Sequence, residues 1–406
     1  MKLTVLGGSA VATPELIAVL LRSAERPSME VVLHGRSADK LKIVGGICAR
    51  LAGEGGGRPL NVSFATDLDA ALDGADFVLN QIRVGGYQMR AFDETFPRDL
   101  GLPGEETVGP GGFSLAFRTV PVVLDYCRAI ERRAPQAILI NLTNPSSLIQ
   151  YAISRSSTVK CIGICDSPVT MSQLVASALS EPRPALDVDY LGMHHFGWIT
   201  GVRQDGLDRM PDALVHAERL SEKLGVDADV IRAIGAVPSS YLKYYFHPDR
   251  LLAAQLGKPA RAETLLALEN ELVAAYQSGQ SEAVAKRSAH WYEEIVVPVL
   301  LALMNDSGAA FFLNVQNNGA LDFLPREAIV EVPTWVERAG VTAAESIGKT
   351  PDVVRALLQI NAAYEMLAVE AIVERDRAKA LRALLLNPII RTADQASGTL
   401  ERVWPD

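Results

Sequence analysis

Cys165 and the neighbouring pair His194-His195 are the residues of this 406-residue chain whose types point most directly to chemistry. A soft thiolate and a neutral imidazole are good ligands for a divalent transition metal, and two protein ligands leave coordination positions open for a substrate. Cys165 closes an apolar run at 161–164 that reads as a buried strand, and the histidines follow another at 188–191, across a helical segment. A buried cysteine is also an ordinary small hydrophobe, so the elements carrying these side chains decide between ligand and core.

Those elements alternate strand and helix from the N-terminus. Residues 3–6 read as a buried parallel strand, Gly7-Gly8-Ser9 as a turn and 14–23 as a helix. Strand, glycine turn and helix N-terminus together favour a bound phosphate, and their position favours a dinucleotide site although the full G-x-G-x-x-G pattern is absent. The second strand, 30–34, ends in His34-Gly35-Arg36-Ser37 where an acidic residue is usual. Arg36 there suits a 2′-phosphate, hence NADP, and equally Arg36 and Ser37 suit the cap of the next helix. Strand 76–81 is followed by Arg83-Val84-Gly85-Gly86 at its carboxyl end, where open α/β sheets place ligands. The loop 104–112 combines many glycines with Glu105 and Glu106, a composition expected where backbone closely approaches a ligand. Helix 113–132, strand 137–141, the polar turn Thr143-Asn144-Pro145 and helix 146–154 complete the pattern, with Asn144 placed to lie over a nicotinamide.

This alternation predicts an α/β fold with a doubly wound, Rossmann-like parallel sheet. Beyond about residue 170 the helices lengthen and the strands 188–191 and 311–315 look isolated, so a C-terminal mixed α+β domain is expected. The division is 1–168 for the dinucleotide and 169–406 for substrate, metal site and oligomer contacts. Apolar spacing over 353–373 and 378–385 predicts paired helices.

Composition narrows the function classes. With 49% hydrophobic and 21% charged residues a large core forms, and a net charge of −9 argues against nucleic acid or an anionic membrane as partner. The four cysteines lack the spacing of a disulfide scaffold or zinc ribbon, which points to a reducing cytoplasm. No apolar run of membrane-spanning length is evident.

In this order, the pieces resemble glycoside hydrolase family 4, the NAD- and divalent-metal-dependent glycosidases with a fold similar to lactate and malate dehydrogenases. The resemblance spans nearly the whole chain. It is carried by Gly8-Ser9 with Thr13-Pro14, Arg83-Val84-Gly85-Gly86, Glu106-Thr107-Val108-Gly109-Pro110-Gly111-Gly112, Thr143-Asn144-Pro145 and Gly163-Ile164-Cys165. It continues through His195-Phe196-Gly197-Trp198, Tyr241-Leu242-Lys243-Tyr244-Tyr245, Asn314-Val315-Gln316-Asn317-Asn318-Gly319 and Val330-Glu331-Val332-Pro333. It implies cleavage by oxidation at sugar carbon 3, elimination across carbons 1 and 2, water addition and return of the hydride, with NAD recycled and manganese or another divalent metal bound. By position it makes Cys165 and His195 the metal ligands, Tyr241 the base at carbon 2, and Arg90 and Arg287 substrate-site arginines, with Glu106 in the acidic loop. The implied substrate is a small glycoside, phosphorylated at carbon 6, and the implied assembly is a homodimer or homotetramer.

The chain also departs from the family pattern. Asp166 stands where Asn or His is usual, placed to accept a hydrogen bond from a sugar hydroxyl or to join the metal shell, and His194 stands where Asn is usual. A non-phosphorylated or otherwise anionic glycoside is therefore the alternative substrate. Outside the family, a 2-hydroxy-acid dehydrogenase and a non-catalytic nucleotide sensor share the fold.

Overall fold

The computed structural model describes residues 1–182, 185–344 and 350–404. Six strands form a parallel array: β1 (Lys2–Leu6), β2 (Met29–His34), β3 (Leu60–Ala65), β4 (Phe77–Asn80), β5 (Ile138–Asn141) and β6 (Lys160–Gly163). Their spatial order, 3-2-1-4-5-6, is that of a doubly wound dinucleotide-binding sheet, and helices cover both faces. The inner strands are mostly apolar because both faces are buried, and their buried polar residues are Thr4, Asn80 and Asn141. Edge strand β3, Leu-Asn-Val-Ser-Phe-Ala, alternates apolar and polar residues and lacks the continuous apolar run of its neighbours; the sequence reading missed it.

The sheet does not stop at β6. It continues antiparallel through β11 (Ala309–Gln316), β12 (Ile329–Glu337), β7 (Asp187–Met193), β8 (Phe196–Gln204) and β10 (Val237–Pro238). The short strands β9 (Leu207–Asp208) and β13 (Gly340–Ala343) pair with β8 and β12. The runs at 188–191 and 311–315, which looked isolated, are thus parts of paired strands. Gly197 and Gly201 interrupt β8, so its apolar signal is weak.

Two junctions of the extension are narrow. Gly163 of β6 pairs with Asn314 of β11, and Glu331 of β12 pairs with Gly192 of β7. A buried polar knot holds both. Asn314 Nδ2 donates to Glu331 Oε1 at 2.8 Å, the Tyr190 hydroxyl donates to Glu331 Oε2, and Gln150 Nε2 donates to the Asn314 carbonyl at 2.7 Å. A Cβ at Gly163 would lie 2.8 Å from Asn314 Cβ and would also strike Gln150 and Ser146, so the close approach of β6 to β11 requires glycine.

Helix Gly109–Arg133 begins inside the glycine-rich loop, four residues before the expected start at 113, with Pro110 in its first turn. The glycines of this loop close on the chain's own backbone. A Cβ at Gly104 would collide with the Glu94 carbonyl, and one at Gly112 would lie 2.6 Å from the Thr107 carbonyl. That corrects the expectation that they make room for a ligand; the loop's side chains serve the cleft instead.

The expected helix pair is present as Asp352–Glu374 and Arg377–Leu386. Among the described residues, Asp352–Glu374 is the one helix long and apolar enough to cross a membrane, with a mean hydropathy of 1.4. It buries Asn361, Tyr364 and Glu365 and packs against helices Gly109–Arg133 and Ser146–Ser156, as a core helix does.

Candidate active site

The carboxyl ends of β1, β4, β5 and β6 open into a cleft of about 880 Å³, the position expected for ligands in such sheets. Gly7, Ser9, Arg36, Arg83, Arg90, Glu106, Asn144, Cys165, Asp166, His194, His195, Tyr241 and Arg287 all line it. Of the expected site residues, Gly8 alone does not face the cleft: a Cβ there would meet Leu33 Cβ at 2.7 Å, so its role is to let the turn lie on β2.

One end of the cleft is made by main chain. Gly7 has φ +82°, and a Cβ there would meet the Gln81 carbonyl at 2.8 Å. The turn runs into helix Thr13–Arg22, which has Pro14 in its first turn. Tyr276 donates to the Val11 carbonyl at 2.9 Å and Gln81 Nε2 to Thr13 Oγ1 at 3.1 Å, holding the turn from both sides. A glycine turn below a helix N-terminus fits the pyrophosphate of a dinucleotide. Ser37 accepts from the Lys40 amide at 3.4 Å and so caps the next helix, leaving Arg36 exposed on the rim.

The other end is made by side chains from five segments. Cys165 sits just after β6, and its Sγ accepts from the Ser167 amide at 3.4 Å, at the start of helix Ser167–Ala178. His194 and His195 form the two-residue turn between β7 and β8, His195 with φ +59°. A non-glycine residue held there is strained, and such strain gathers at functional sites. Donor atoms of Cys165, His194 and His195 lie within 4.8 Å of one another, all buried. His195 stacks between His194 and Tyr241, with ring centroids 3.7 Å and 3.6 Å away.

Polar partners orient both imidazoles. His195 Nδ1 lies 3.0 Å from Thr107 Oγ1, whose own proton goes to Glu105 Oε1 at 3.1 Å. A hydroxyl has one proton to give, so Nδ1–H donates to Thr107 and Nε2 keeps its lone pair. His194 Nε2 lies 2.7 Å from Asn144 Oδ1. Tyr244 donates to Glu105 Oε2 at 3.1 Å. Thr107, Glu105 and Tyr244 carried no assigned role in the sequence; Glu105 beside Glu106 was the available signal.

Burial dominates the electrostatics. It pushes the Cys165 thiol well above its usual range, with Glu331 and Asp166 adding negative charge, and pushes His194 down to about 3. His195 is likewise held well below its ordinary value by burial and by His194. Tyr241 is raised far above a free phenol by burial, then by Glu105, Cys165, Asp166 and Glu106. A pocket of neutral imidazoles, a thiol and several carboxylates lacks positive charge at its centre. That donor set fits a divalent cation, whose charge would bring the thiol and the phenol down and keep both imidazoles neutral.

The arginines are not free. Arg90 is buried and bonds Glu94 Oε1 at 2.7 Å and Glu106 Oε1 at 2.8 Å; Arg83 pairs with the other oxygen of Glu106. The Arg83 side chain is 31% exposed, against 10% for Arg90, so both line the cleft but Arg83 is the more open of the two. The Arg287 guanidinium lies 5.0 Å from the centre of the Trp291 ring.

Residues 2–181 match the model described as family 4 glycosyl hydrolase, and 190–390 match the family 4 glycosyl hydrolase C-terminal domain. The 6-phospho-β-glucosidase of Escherichia coli (strain K12) is 30% identical, over 97% of this chain and 92% of that protein. The structure of the 6-phospho-β-glucosidase of Thermotoga maritima with manganese, NAD+ and glucose-6-phosphate superposes with a TM-score of 0.89 at 29% identity, covering 99% of this chain and 97% of that one. Malate dehydrogenase of Cryptosporidium parvum shares the fold, with a TM-score of 0.54 at 13% identity over 91% of this chain and 99% of that one. With family models covering both halves and a relative 30% identical over nearly its whole length, the chain belongs to the family 4 glycosyl hydrolases.

Proposed function

We propose that the chain hydrolyses a glycoside, in the first instance a 6-phospho-β-glucoside, by oxidation at carbon 3, elimination, water addition and reduction. The observation that carries this is the meeting of the Cys165–His195 donors, Tyr241 and the Gly7–Ser9 turn in one cleft. When bound, the nicotinamide exchanges hydride at carbon 3 and a divalent cation polarises the oxygens at carbons 2 and 3.

The protein's own groups do the rest. Cys165 and His195 hold the cation. The Gly7-Gly8-Ser9 turn and the helix behind it take the pyrophosphate, with Arg36 beside the adenosine ribose; its exposure keeps NADP as an alternative to NAD. Asn144 reaches the nicotinamide end and fixes His194. Tyr241 removes the proton from carbon 2, which requires its raised phenol to be brought down by positive charge beside it. Asp166, partly buried at the start of helix Ser167–Ala178, takes a sugar hydroxyl. Glu106 positions Arg83 and Arg90, and Arg287 closes the substrate end.

A second reading has one observation in its favour. Glu94 and Glu106 already neutralise Arg90, so a substrate phosphate must share it with two carboxylates. A non-phosphorylated glycoside meets no such competition. The test is release of 4-nitrophenol from glycosides of both anomers, with and without a 6-phosphate, under reducing conditions with manganese and NAD, NADP or neither. Release that requires both metal and dinucleotide, and that favours the phosphorylated β-anomer, is expected. Equal release from plain glucosides moves the substrate to the second reading. No release with intact dinucleotide binding overturns the glycosidase mechanism.

We place the enzyme in a reducing compartment, the cytoplasm, in line with its four free cysteines. Residues 1–168 serve the dinucleotide and 169–406 the substrate, metal and oligomer contacts. A homodimer or homotetramer would cover exposed apolar residues such as Val353 and Ile360 on the long helix, and light scattering would check it.

A further inference from the structure

We propose that His194 is a third protein ligand, through Nδ1, so that this chain offers a divalent metal one thiolate and two imidazoles where two donors were expected. The inference rests on the reading that this pocket holds a cation, and not on which glycoside is cleaved.

The hydrogen bonds of the two histidines are mirror images. His195 gives its Nδ1 proton to Thr107 and keeps Nε2 free. His194 meets the amide oxygen of Asn144 through Nε2. An amide oxygen has no proton to give, so Nε2–H donates and Nδ1 carries the lone pair. That Nδ1 is buried and has no hydrogen-bond partner. A buried acceptor left unmet costs about 1–3 kcal/mol, and native interiors seldom retain one without a reason. Its ring belongs to the cluster of donor atoms within 4.8 Å that includes Cys165 and His195. Metal-bound histidines commonly donate their other ring N–H to a carbonyl or hydroxyl oxygen, which fixes tautomer and ring plane. Asn144 and Thr107 do so here, one for each histidine, and are positioning residues.

A donor set of two nitrogens and a thiolate favours cobalt and zinc over manganese. It also leaves one fewer open position for sugar oxygens and water. His194 is therefore a determinant of which metal the enzyme takes, acting through the ion that the substrate must share.

The test uses the whole protein, stripped of metal and reloaded with cobalt(II) or zinc without oxygen. X-ray absorption of the loaded wild-type protein counts imidazoles and needs no variant. Two imidazoles and one sulfur are expected; one imidazole and one sulfur would overturn the proposal. In His194→Asn, cobalt affinity measured by chelator competition is expected to fall by about 10- to 100-fold or more, with a changed visible cobalt spectrum. Manganese affinity should fall less, and dinucleotide binding and the melting temperature of the metal-free protein should hold. An unchanged cobalt spectrum and affinity in that variant would equally overturn it. These readouts report the metal directly, so loss of the glycosidase reading would leave them standing.

Discussion

At the β1 end of the cleft the main chain makes the site, whereas at the β6 end side chains do. Gly7, Gly8 and Ser9 lie in one strand–turn–helix unit, and free amides with a helix N-terminus suffice for a phosphate. Cys165, His194, His195, Thr107, Asn144 and Tyr241 come from five separate segments, and their function depends on atoms meeting within a few ångströms. The first end is robust to side-chain change and sensitive to added bulk. The second tolerates little change in chemistry and has its charge state set by burial.

The largest expected effect falls at the side-chain end. Cys165→Ala removes the thiolate, and with a Lewis acid contributing several kcal/mol, turnover should fall at least about 10³-fold. Steady-state rates at saturating manganese would show it, while fluorescence titration with NAD should give unchanged affinity. Loss of NAD binding in that variant would break the separation of the two ends.

Tyr241→Phe sharpens the same end by keeping the stacked ring on His195 and removing the hydroxyl. A general base contributes about 10²–10⁴-fold, so kcat should drop in that range with metal affinity retained. Exchange of the carbon 2 proton with deuterated solvent should slow in parallel.

Gly8→Ala probes the main-chain end. Its Cβ would lie 2.7 Å from Leu33 Cβ and 2.9 Å from Leu33 Cα. Overpacking of this kind costs about 1–3 kcal/mol, so dinucleotide affinity and melting temperature should both fall. Cobalt binding should hold, because no donor moves.

The smallest effect concerns stability. Burial lifts the Glu365 carboxyl to about 8, although Asn361 Nδ2 donates to it at 3.0 Å. The folded chain then holds a proton that the unfolded chain releases near 4.5. The associated stability is complete below that value and is lost as pH rises through about 8. Melting temperature should therefore decline from about pH 5 to about pH 9, and Glu365→Gln should flatten the decline. A slope unchanged in the variant would assign it to other groups.

Much of the parallel half was legible because its signals are local. Strands β1, β2, β4, β5 and β6 are short apolar runs, and a turn closes each one. The antiparallel extension was not, because its pairing joins residues far apart in sequence, as Gly163 with Asn314 and Glu331 with Gly192. The glycines of the 104–112 loop misled for a related reason: glycine marks close approach, and composition does not say to what. Thr107 was invisible as a histidine partner until helix Gly109–Arg133 and the β7–β8 turn came together.

The sequence by itself determined the residue types, the alternating order of strand and helix, the glycine turn before the first helix and, through the joint order of its motifs, the family. These depend on neighbours in the chain, where apolar runs and turn residues act. Tertiary structure alone decided that Glu94 and Glu106 occupy Arg90, that Tyr241 lies on His195, and that Thr107 and Asn144 each engage one ring nitrogen of His195 and His194. Such facts rest on hydrogen bonds and charge in a dry interior, which exist only after distant segments have closed around them.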